Sequence, residues 1–384
     1  MYKVYKQYLT LLHNSGKYRR LGTWRQESNS ELLDFSTNDY LNLSRHRDII
    51  RAGEAAAQSY GIGATGSRLL SGNHELYEEF EVAIAIDKRS ESSLIFNSGF
   101  QANISTLSCI LDDKILNDKP LVFFDKLNHS SLYQAVFLSK AQALRYHHND
   151  INNLESLLRE YKNDPRPKFI VTETVFGMDG DIAPLEEIVI LAKKFGAFLY
   201  LDEAHATGLF GVNGYGLSTT LDLQNIPHII MGTFSKAIGA SGGYIACHKI
   251  IRDFIINKAP GFIYSTAPSP VVVGGAFKAW KLVKSLREER KTLQSLGQTL
   301  HKMLKAHGFN IGTSETHIVP VILNEENKCL KIQKALLQEG VIVSCIRPPT
   351  VPPGTSRLRI ALTTKHTHQD LKRLVETLSI AVRS

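Results

Sequence analysis

Cysteine is scarce in this chain: Cys109, Cys247, Cys329 and Cys345 are the only four in 384 residues, far apart and without a C-x-x-C spacing. That pattern argues against a zinc site and a disulfide scaffold, and fits a reducing cytoplasm. Long apolar runs are missing too. No stretch approaches the roughly 18 residues of a membrane span, and Met1–Tyr8 carries Lys and Tyr but no apolar signal core. The expectation is a soluble, cytoplasmic protein with no membrane partner and no metal. Also absent is a phosphate-cradling G-x-x-x-x-G-K-[ST] run, since the one Gly-Lys pair, Gly16-Lys17, is followed by Tyr18. Without it, the box Asp202-Glu-Ala-His205 does not signal a nucleic-acid-dependent ATPase. Its Asp and His need another explanation.

What is present is ordinary globular material. Hydrophobic residues make up 43% and charged residues 21%, enough for a large core. The length suits about two to three domains of roughly 150 residues. The formal net charge of +8 is spread along the chain, with one concentration at Lys281, Lys284, Arg287, Arg290 and Lys291. Three- and four-residue steps around Glu288 and Glu289 make that a solvated helix face, so nucleic acid is not an expected partner. A mildly basic field suits phosphorylated small molecules or an acidic protein.

Short apolar runs alternate with helical periodicity. Strands are expected at Ser93–Phe96, Leu121–Phe124, Phe169–Thr174, Ala197–Leu201, His228–Gly232 and Gly243–Cys247, and helices at Phe100–Leu111, Ser130–Leu138, Ile151–Tyr161 and Pro184–Phe195. This alternation predicts an α/β fold with a mostly parallel sheet. After about Pro270 the texture changes. A long helical pattern from Val271 to His307 is interrupted only at Gly274–Gly275 and Gly297; strands follow at Ile318–Leu323, Val341–Cys345 and Leu358–Leu362, with helices at Asn327–Gln338 and Gln369–Val382. The expected organisation is an N-terminal segment (1–40) with a basic helix and an irregular lead-in packing against both domains, a large domain (41–270) and a smaller α+β domain (271–384).

Gly61-Ile-Gly-Ala-Thr-Gly66 matches the dinucleotide fingerprint G-x-G-x-x-G. Those glycines must follow a strand and open a helix. Here a helical run, Ile49–Tyr60, precedes them and a loop, Ser67–Asn73, follows, so the match is discounted.

The chemistry gathers at strand ends. Phe198-Leu-Tyr-Leu-Asp-Glu-Ala-His205 places Asp202 and His205 at the C-terminal end of a buried strand, where open α/β sheets bind ligands. The next strand runs into Thr233-Phe-Ser-Lys236-Ala-Ile-Gly-Ala-Ser-Gly-Gly243. A lysine in such a loop can form a Schiff base, and an aspartate can keep a pyridine nitrogen protonated. Asn97-Ser-Gly-Phe-Gln-Ala-Asn103 follows a strand and opens a helix, a natural phosphate cradle. Together these point to pyridoxal 5'-phosphate.

With these residues the chain resembles the α-oxoamine synthases, pyridoxal-phosphate enzymes of fold type I. The likeness runs from Asn38-Asp-Tyr-Leu41 to Arg357-Leu-Arg359 and includes Gly66–Asn73, Asn128-His-Ser-Ser131, Met178-Asp-Gly-Asp181, Asp202–Gly208 and Thr233–Gly239. Ile346-Arg-Pro-Pro-Thr-Val-Pro-Pro-Gly-Thr-Ser-Arg-Leu-Arg359 is most similar to the branch that condenses L-alanine with a pimeloyl thioester in biotin biosynthesis, rather than to glycine- or serine-using relatives. The resemblance implies that Lys236 carries the cofactor, Asp202 pairs with its ring nitrogen, His205 bonds its phenolic oxygen and His129 stacks on its face. It further implies that Gly99, Phe100 and Thr233 hold the phosphate, that Thr266 reaches the phosphate of a neighbouring subunit in a homodimer, and that Arg359 binds the amino-acid carboxylate. Arg19, with Arg20 adjacent as the alternative, is implied for the far carboxylate of the acyl chain, and Thr350 as a further substrate contact. The acyl donor is a coenzyme A or carrier-protein thioester. Arg347 and Arg357 are read as structural, two arginines alternating on one strand not being expected both to face the site. Gly177 stands where many relatives have Ser, so one hydroxyl near the cofactor is missing.

Overall fold

The computed structural model describes residues 1–21 and 32–383. Part of the expected irregular lead-in, residues 22–31, lies outside the described residues. The chain forms two compact units, one of residues 41–176 and 182–290, the other of residues 1–40, 177–181 and 291–384.

The larger unit is built on a seven-stranded sheet in the order Ser92–Phe96, Gly243–Cys247, His228–Thr233, Phe198–Asp202, Lys168–Glu173, Leu121–Asp125, Gln142–Tyr146. Every pairing is parallel except the two made by Gly243–Cys247. Side chains alternate across each strand. Val122, Phe124, Val171, Tyr200 and Met231 pack to one face with the helices Gly99–Ile110 and Ser130–Ser139. Leu121, Phe123, Ile170, Leu199 and Leu201 pack to the other, with the helices Ile151–Glu160 and Leu185–Phe195. Both faces are covered, which is why these strands read as continuous apolar runs. Gln142–Tyr146 escaped the sequence reading because it is an edge strand, mostly exposed, of sequence QALRY.

Two helical expectations are corrected. The pattern from Val271 to His307 is two helices, Pro270–Val283 and Arg287–Ala306, and the break falls at Lys284–Leu286, not at the glycines. Gly274 lies inside the first helix, where a Cβ would come within 2.6 Å of the Ala56 side chain on Arg47–Tyr60. The glycines mark close packing. The basic concentration is accordingly shared between two helices, with Lys281, Lys284, Arg287 and Lys291 exposed and Arg290 half-buried, donating to the Val283 carbonyl.

The smaller unit holds an antiparallel sheet in the order Ser344–Ile346, Ser356–Ala361, Ile318–Asn324. The run expected as one strand, Val341–Cys345, is divided: Val341–Ile342 pairs instead with Leu33–Asp34. The helices Glu326–Gln338 and His368–Arg383 belong to this unit, as does the exposed N-terminal helix Tyr2–Asn14. Among the described residues no helix is long and apolar enough to cross a membrane.

Candidate active site

The parallel strands of the large unit end together. Register pairs Glu173 with Asp202 and Thr233 with Gly243, while Phe96, just before Asn97, also pairs with Gly243. The carboxyl edge of the sheet therefore carries Glu173, Asp202 and Thr233 side by side.

Beside Thr233 the helix Gly99–Ile110 begins. The Ser98 hydroxyl accepts from the Gln101 amide at 3.0 Å, and the Ala102 amide bonds the Ser98 carbonyl. The amides of Gly99 and Phe100 have no acceptor among the described residues, leaving two donors at the positive end of the helix. The backbone is packed tightly here: a Cβ on Gly99 would sit 3.3 Å from the Thr233 side chain, and one on Gly243 2.7 Å from the Gly99 nitrogen. The Thr233 hydroxyl donates to the Gly242 carbonyl at 2.7 Å and lies 2.8 Å from the Ser235 hydroxyl. Ser235 thus joins the loop that leads to Lys236. Asn97 is held by the Thr266 carbonyl at 2.8 Å; Thr266 itself is exposed.

Asp202 is almost fully buried, yet it has partners. The Asn103 amide donates to Oδ2 at 2.8 Å and the Ala204 backbone to Oδ1 at 2.9 Å. Asn103 also donates to Ser131 Oγ at 2.9 Å and accepts from the Tyr200 hydroxyl at 2.8 Å. Ser131 Oγ lies 2.7 Å from His129 Nδ1, which accepts the Ser131 amide at 3.3 Å. With Nδ1 receiving both, the ring proton belongs on Nε2. Burial holds His129 below the usual histidine range, with the Lys236 ammonium adding to that and Asp202 opposing it. A neutral imidazole, a buried carboxylate and a lysine therefore occupy one neighbourhood. The Phe100 ring meets His129 edge-on, centroids 6.5 Å apart.

Glu173 was not singled out from sequence. Burial and the neighbouring Asp202 charge push its carboxyl well above the ordinary range, against the opposing pull of Lys236 and of the His129 amide. Its surroundings therefore favour the protonated form of the carboxyl. His205 is buried on the turn after Asp202. Glu203, between them, belongs elsewhere: it forms a wholly buried ion pair with Lys88 and accepts from Ser218 at 2.7 and 2.8 Å. An acidic box read as chemistry is thus half structural.

In the smaller unit Arg359 is buried. Its Nε donates to the Gly177 carbonyl at 2.6 Å and its Nη2 to the Tyr40 hydroxyl at 3.2 Å; Tyr40 in turn donates to Asn38 at 3.0 Å. The His317 ring packs edge-on against Tyr40, centroids 4.1 Å apart. The ground for reading Arg357 as structural, that two arginines alternating on one strand cannot both face the site, does not hold. Residues two apart on a strand point the same way, and Arg357 pairs with Asp179 while Arg359 reaches Gly177. What separates them is partner, since Arg357 is neutralised by a carboxylate. Arg347 donates to the Gly16 carbonyl. Arg19 Nη2 donates to Thr350 Oγ1 at 3.0 Å, whereas Arg20 lies over the Tyr18 ring at 5.7 Å. Two residues singled out separately are neighbours.

The large-unit residues fit pyridoxal phosphate: two unpaired helix-end amides for a phosphate, a buried carboxylate for a ring nitrogen, a neutral histidine and a lysine beside them. The comparisons agree. The family model described as aminotransferase class I and II matches residues 30–378. A protein of Paramagnetospirillum magneticum named "Putative 8-amino-7-oxononanoate synthase" is 45% identical over 354 residues, 92% of this chain and 89% of its own. The S. paucimobilis serine palmitoyltransferase solved with bound PLP–myriocin superposes with a TM-score of 0.88 at 28% identity, covering 98% of this chain and 96% of that one. The 8-amino-7-oxononanoate synthase of Francisella tularensis does so with a TM-score of 0.78 at 27% identity, covering 92% and 98%.

Proposed function

The chain belongs to the class I and II aminotransferase family, as a pyridoxal-phosphate-dependent acyltransferase of the α-oxoamine synthase type, and from that premise we propose that it is an 8-amino-7-oxononanoate synthase. It joins L-alanine to a pimeloyl thioester of coenzyme A or a carrier protein, releasing CO2 and the thiol. The observation that carries this reading is the near full-length likeness to the Paramagnetospirillum protein. The Arg19–Thr350 contact supports it, because a dicarboxylic acyl chain needs a cation at its far end.

The bound cofactor supplies an electron sink for a carbanion at the amino acid's Cα. The rest is done by side chains. Lys236 would hold the cofactor through its amine, and its Nζ would serve as the general base for the amino acid's Cα proton. Asp202, pinned by Asn103 and the Ala204 amide, would face the ring nitrogen of the cofactor and favour its protonated form. His129, fixed through Ser131 and held below the usual histidine range by burial, would stack on the ring without adding positive charge to it. His205 would bond the phenolic oxygen, and the Gly99 and Phe100 amides with the Thr233 and Ser235 hydroxyls would hold the phosphate. Arg359, oriented by Gly177 and Tyr40, grips the amino-acid carboxylate with Nη1, which has no acceptor among the described residues. Arg19 and Thr350 hold the distal carboxylate of the acyl chain. A second copy of the chain brings its own Thr266 to the phosphate, making the working unit a homodimer.

The test is a matrix of amino acids (alanine, glycine, serine) against acyl donors (pimeloyl, acetyl, succinyl and palmitoyl thioesters), followed by thiol release and product mass. Alanine with the pimeloyl donor is expected to give the highest kcat/KM. Serine with palmitoyl-coenzyme A, or glycine with a short donor, dominating the matrix would assign the chain to a sister acyltransferase. Running the pimeloyl donor on coenzyme A and on a carrier protein decides between the two thioesters.

A further inference from the structure

Cys329 and Cys345 lie sixteen residues apart in sequence with their sulfurs 2.8 Å apart. Cys329 sits on the helix Glu326–Gln338 and is fully buried; Cys345 sits on the strand Ser344–Ile346 and is half-buried. One sulfur has access to solvent and the other only to its neighbour. Scattered in sequence, the cysteines gave no sign of this pairing; both are free thiols in the structure.

We propose that Cys329 and Cys345 are a redox modification site, a dithiol that closes to an intrachain disulfide by exchange with a low-molecular-weight disulfide. A disulfide bond requires about 2.05 Å between sulfurs, so closure asks for an approach of less than about 1 Å. Two further observations assign the roles. The hydrogen bond shared with Cys329 holds the Cys345 thiol below its ordinary range against burial, with the Arg347 guanidinium adding to that and the Glu326 carboxylate opposing it. Cys329 is pushed up, first by that same hydrogen bond and then by burial. Cys345, the less buried of the two, is therefore the nucleophile, and the enclosed Cys329 is the resolving thiol. The two other cysteines are unsuited: burial raises Cys109 to about 11 and Cys247 to about 12.

The exchange balances without any other reactant. The Cys345 thiolate attacks one sulfur of the small disulfide, breaking its S–S bond and expelling one thiolate. That thiolate takes the Cys329 proton, and the Cys329 thiolate then attacks Cys345 Sγ in the mixed disulfide and expels the second thiolate, which takes up the proton that Cys345 gave to solvent on ionising. Two protein thiols are oxidised by two electrons, and one small disulfide is reduced to two thiols. The site lies at the root of the run that reaches Arg347, tied to Gly16, and Thr350, tied to Arg19.

The experiment counts thiols, so its outcome does not depend on the proposed activity. The pyridoxal-phosphate-loaded protein is equilibrated in glutathione buffers of increasing disulfide content, quenched in acid, denatured with N-ethylmaleimide and analysed by intact and peptide mass. Loss of two of the four alkylatable thiols is expected, with Cys329 and Cys345 in one cross-linked peptide pair and full recovery in dithiothreitol. In the Cys329→Ser protein, or Cys329→Ala if serine is not tolerated in that dry position, Cys345 is expected to stop as a mixed disulfide with glutathione. In Cys345→Ser, Cys329 is expected to stay alkylatable throughout. Four alkylated cysteines in the most oxidising buffer would overturn the proposal, as would a bond made by Cys109 or Cys247.

Discussion

Arg19 and Thr350, 331 residues apart in sequence, are joined by a hydrogen bond of 3.0 Å from the guanidinium Nη2 to the hydroxyl Oγ1. Both are exposed, so the pair stabilises little by itself. Its interest is that it places a cation and a hydroxyl together on segments brought in from opposite ends of the chain.

Arg19→Ala is expected to raise KM for the pimeloyl thioester while changing kcat less, because the lost contact is to a remote, non-reacting group. A charged hydrogen bond contributes about 1.5–3 kcal/mol, which corresponds to roughly 10- to 150-fold in kcat/KM. Arg20→Ala, which among the described residues removes the contact with the Tyr18 ring, is expected to leave both parameters within about twofold of wild type. Equal effects of the two substitutions, in steady-state kinetics with the acyl donor varied, would remove Arg19 from the site.

Asn103→Ala should be costly twice over. It leaves Asp202 Oδ2 and the Tyr200 hydroxyl without a partner they now have, at about 1–3 kcal/mol of stability. It also cuts the link through Ser131 to His129. A lowered thermal midpoint together with a blue- or red-shifted cofactor absorbance is expected. Lost stability with an unchanged absorption spectrum would mean that Asn103 supports the fold and not the cofactor environment.

Lys236→Ala is expected to lower turnover by roughly 10⁴-fold or more, since general-base catalysis alone contributes about 10²–10⁴-fold and the covalent tether is lost as well. Borohydride reduction followed by peptide mass analysis gives an independent check: wild-type protein should retain a pyridoxyl group on the peptide containing Lys236, and the variant none. A label on another lysine would reassign the tether.

Glu173→Gln tests whether that carboxyl is neutral in the fold. A carboxyl whose folded pKa is raised above its unfolded value stabilises fully below the unfolded pKa of 4.5, and that contribution is lost as pH rises toward and through the folded value. The glutamine variant, which carries no titrating proton, should therefore gain in thermal midpoint relative to wild type as pH rises from 4.5, with the cofactor removed from both. A pH-independent difference would show Glu173 to be ionised and paired.

Gly177→Ser should change little. The Arg359 contact is to the backbone carbonyl of this residue, which serine keeps. Arg359→Lys, by contrast, replaces a planar fork with a point charge and is expected to raise KM for the amino acid by about 10-fold or more. A large gain in turnover from Gly177→Ser would show that the missing hydroxyl matters.

What the sequence determined by itself was whatever had a local cause. Strands buried on both faces must be apolar throughout, so the runs at Leu121, Phe169, Phe198 and His228 announced a covered parallel sheet, and Asp202 and the Lys236 loop followed at its carboxyl edge. The edge strand Gln142–Tyr146 had no such signal, because one side of it meets water. Only the tertiary structure decided the relationships between distant residues: Asn103 bracing Asp202, the Glu173 carboxyl pushed up by burial and by the charge beside it, Arg19 meeting Thr350 and Cys329 meeting Cys345. The reason is physical. Hydrogen-bond reach and the field of a neighbouring charge act across a few ångströms of space, and residue spacing along the chain carries no record of which segments folding brings within that distance.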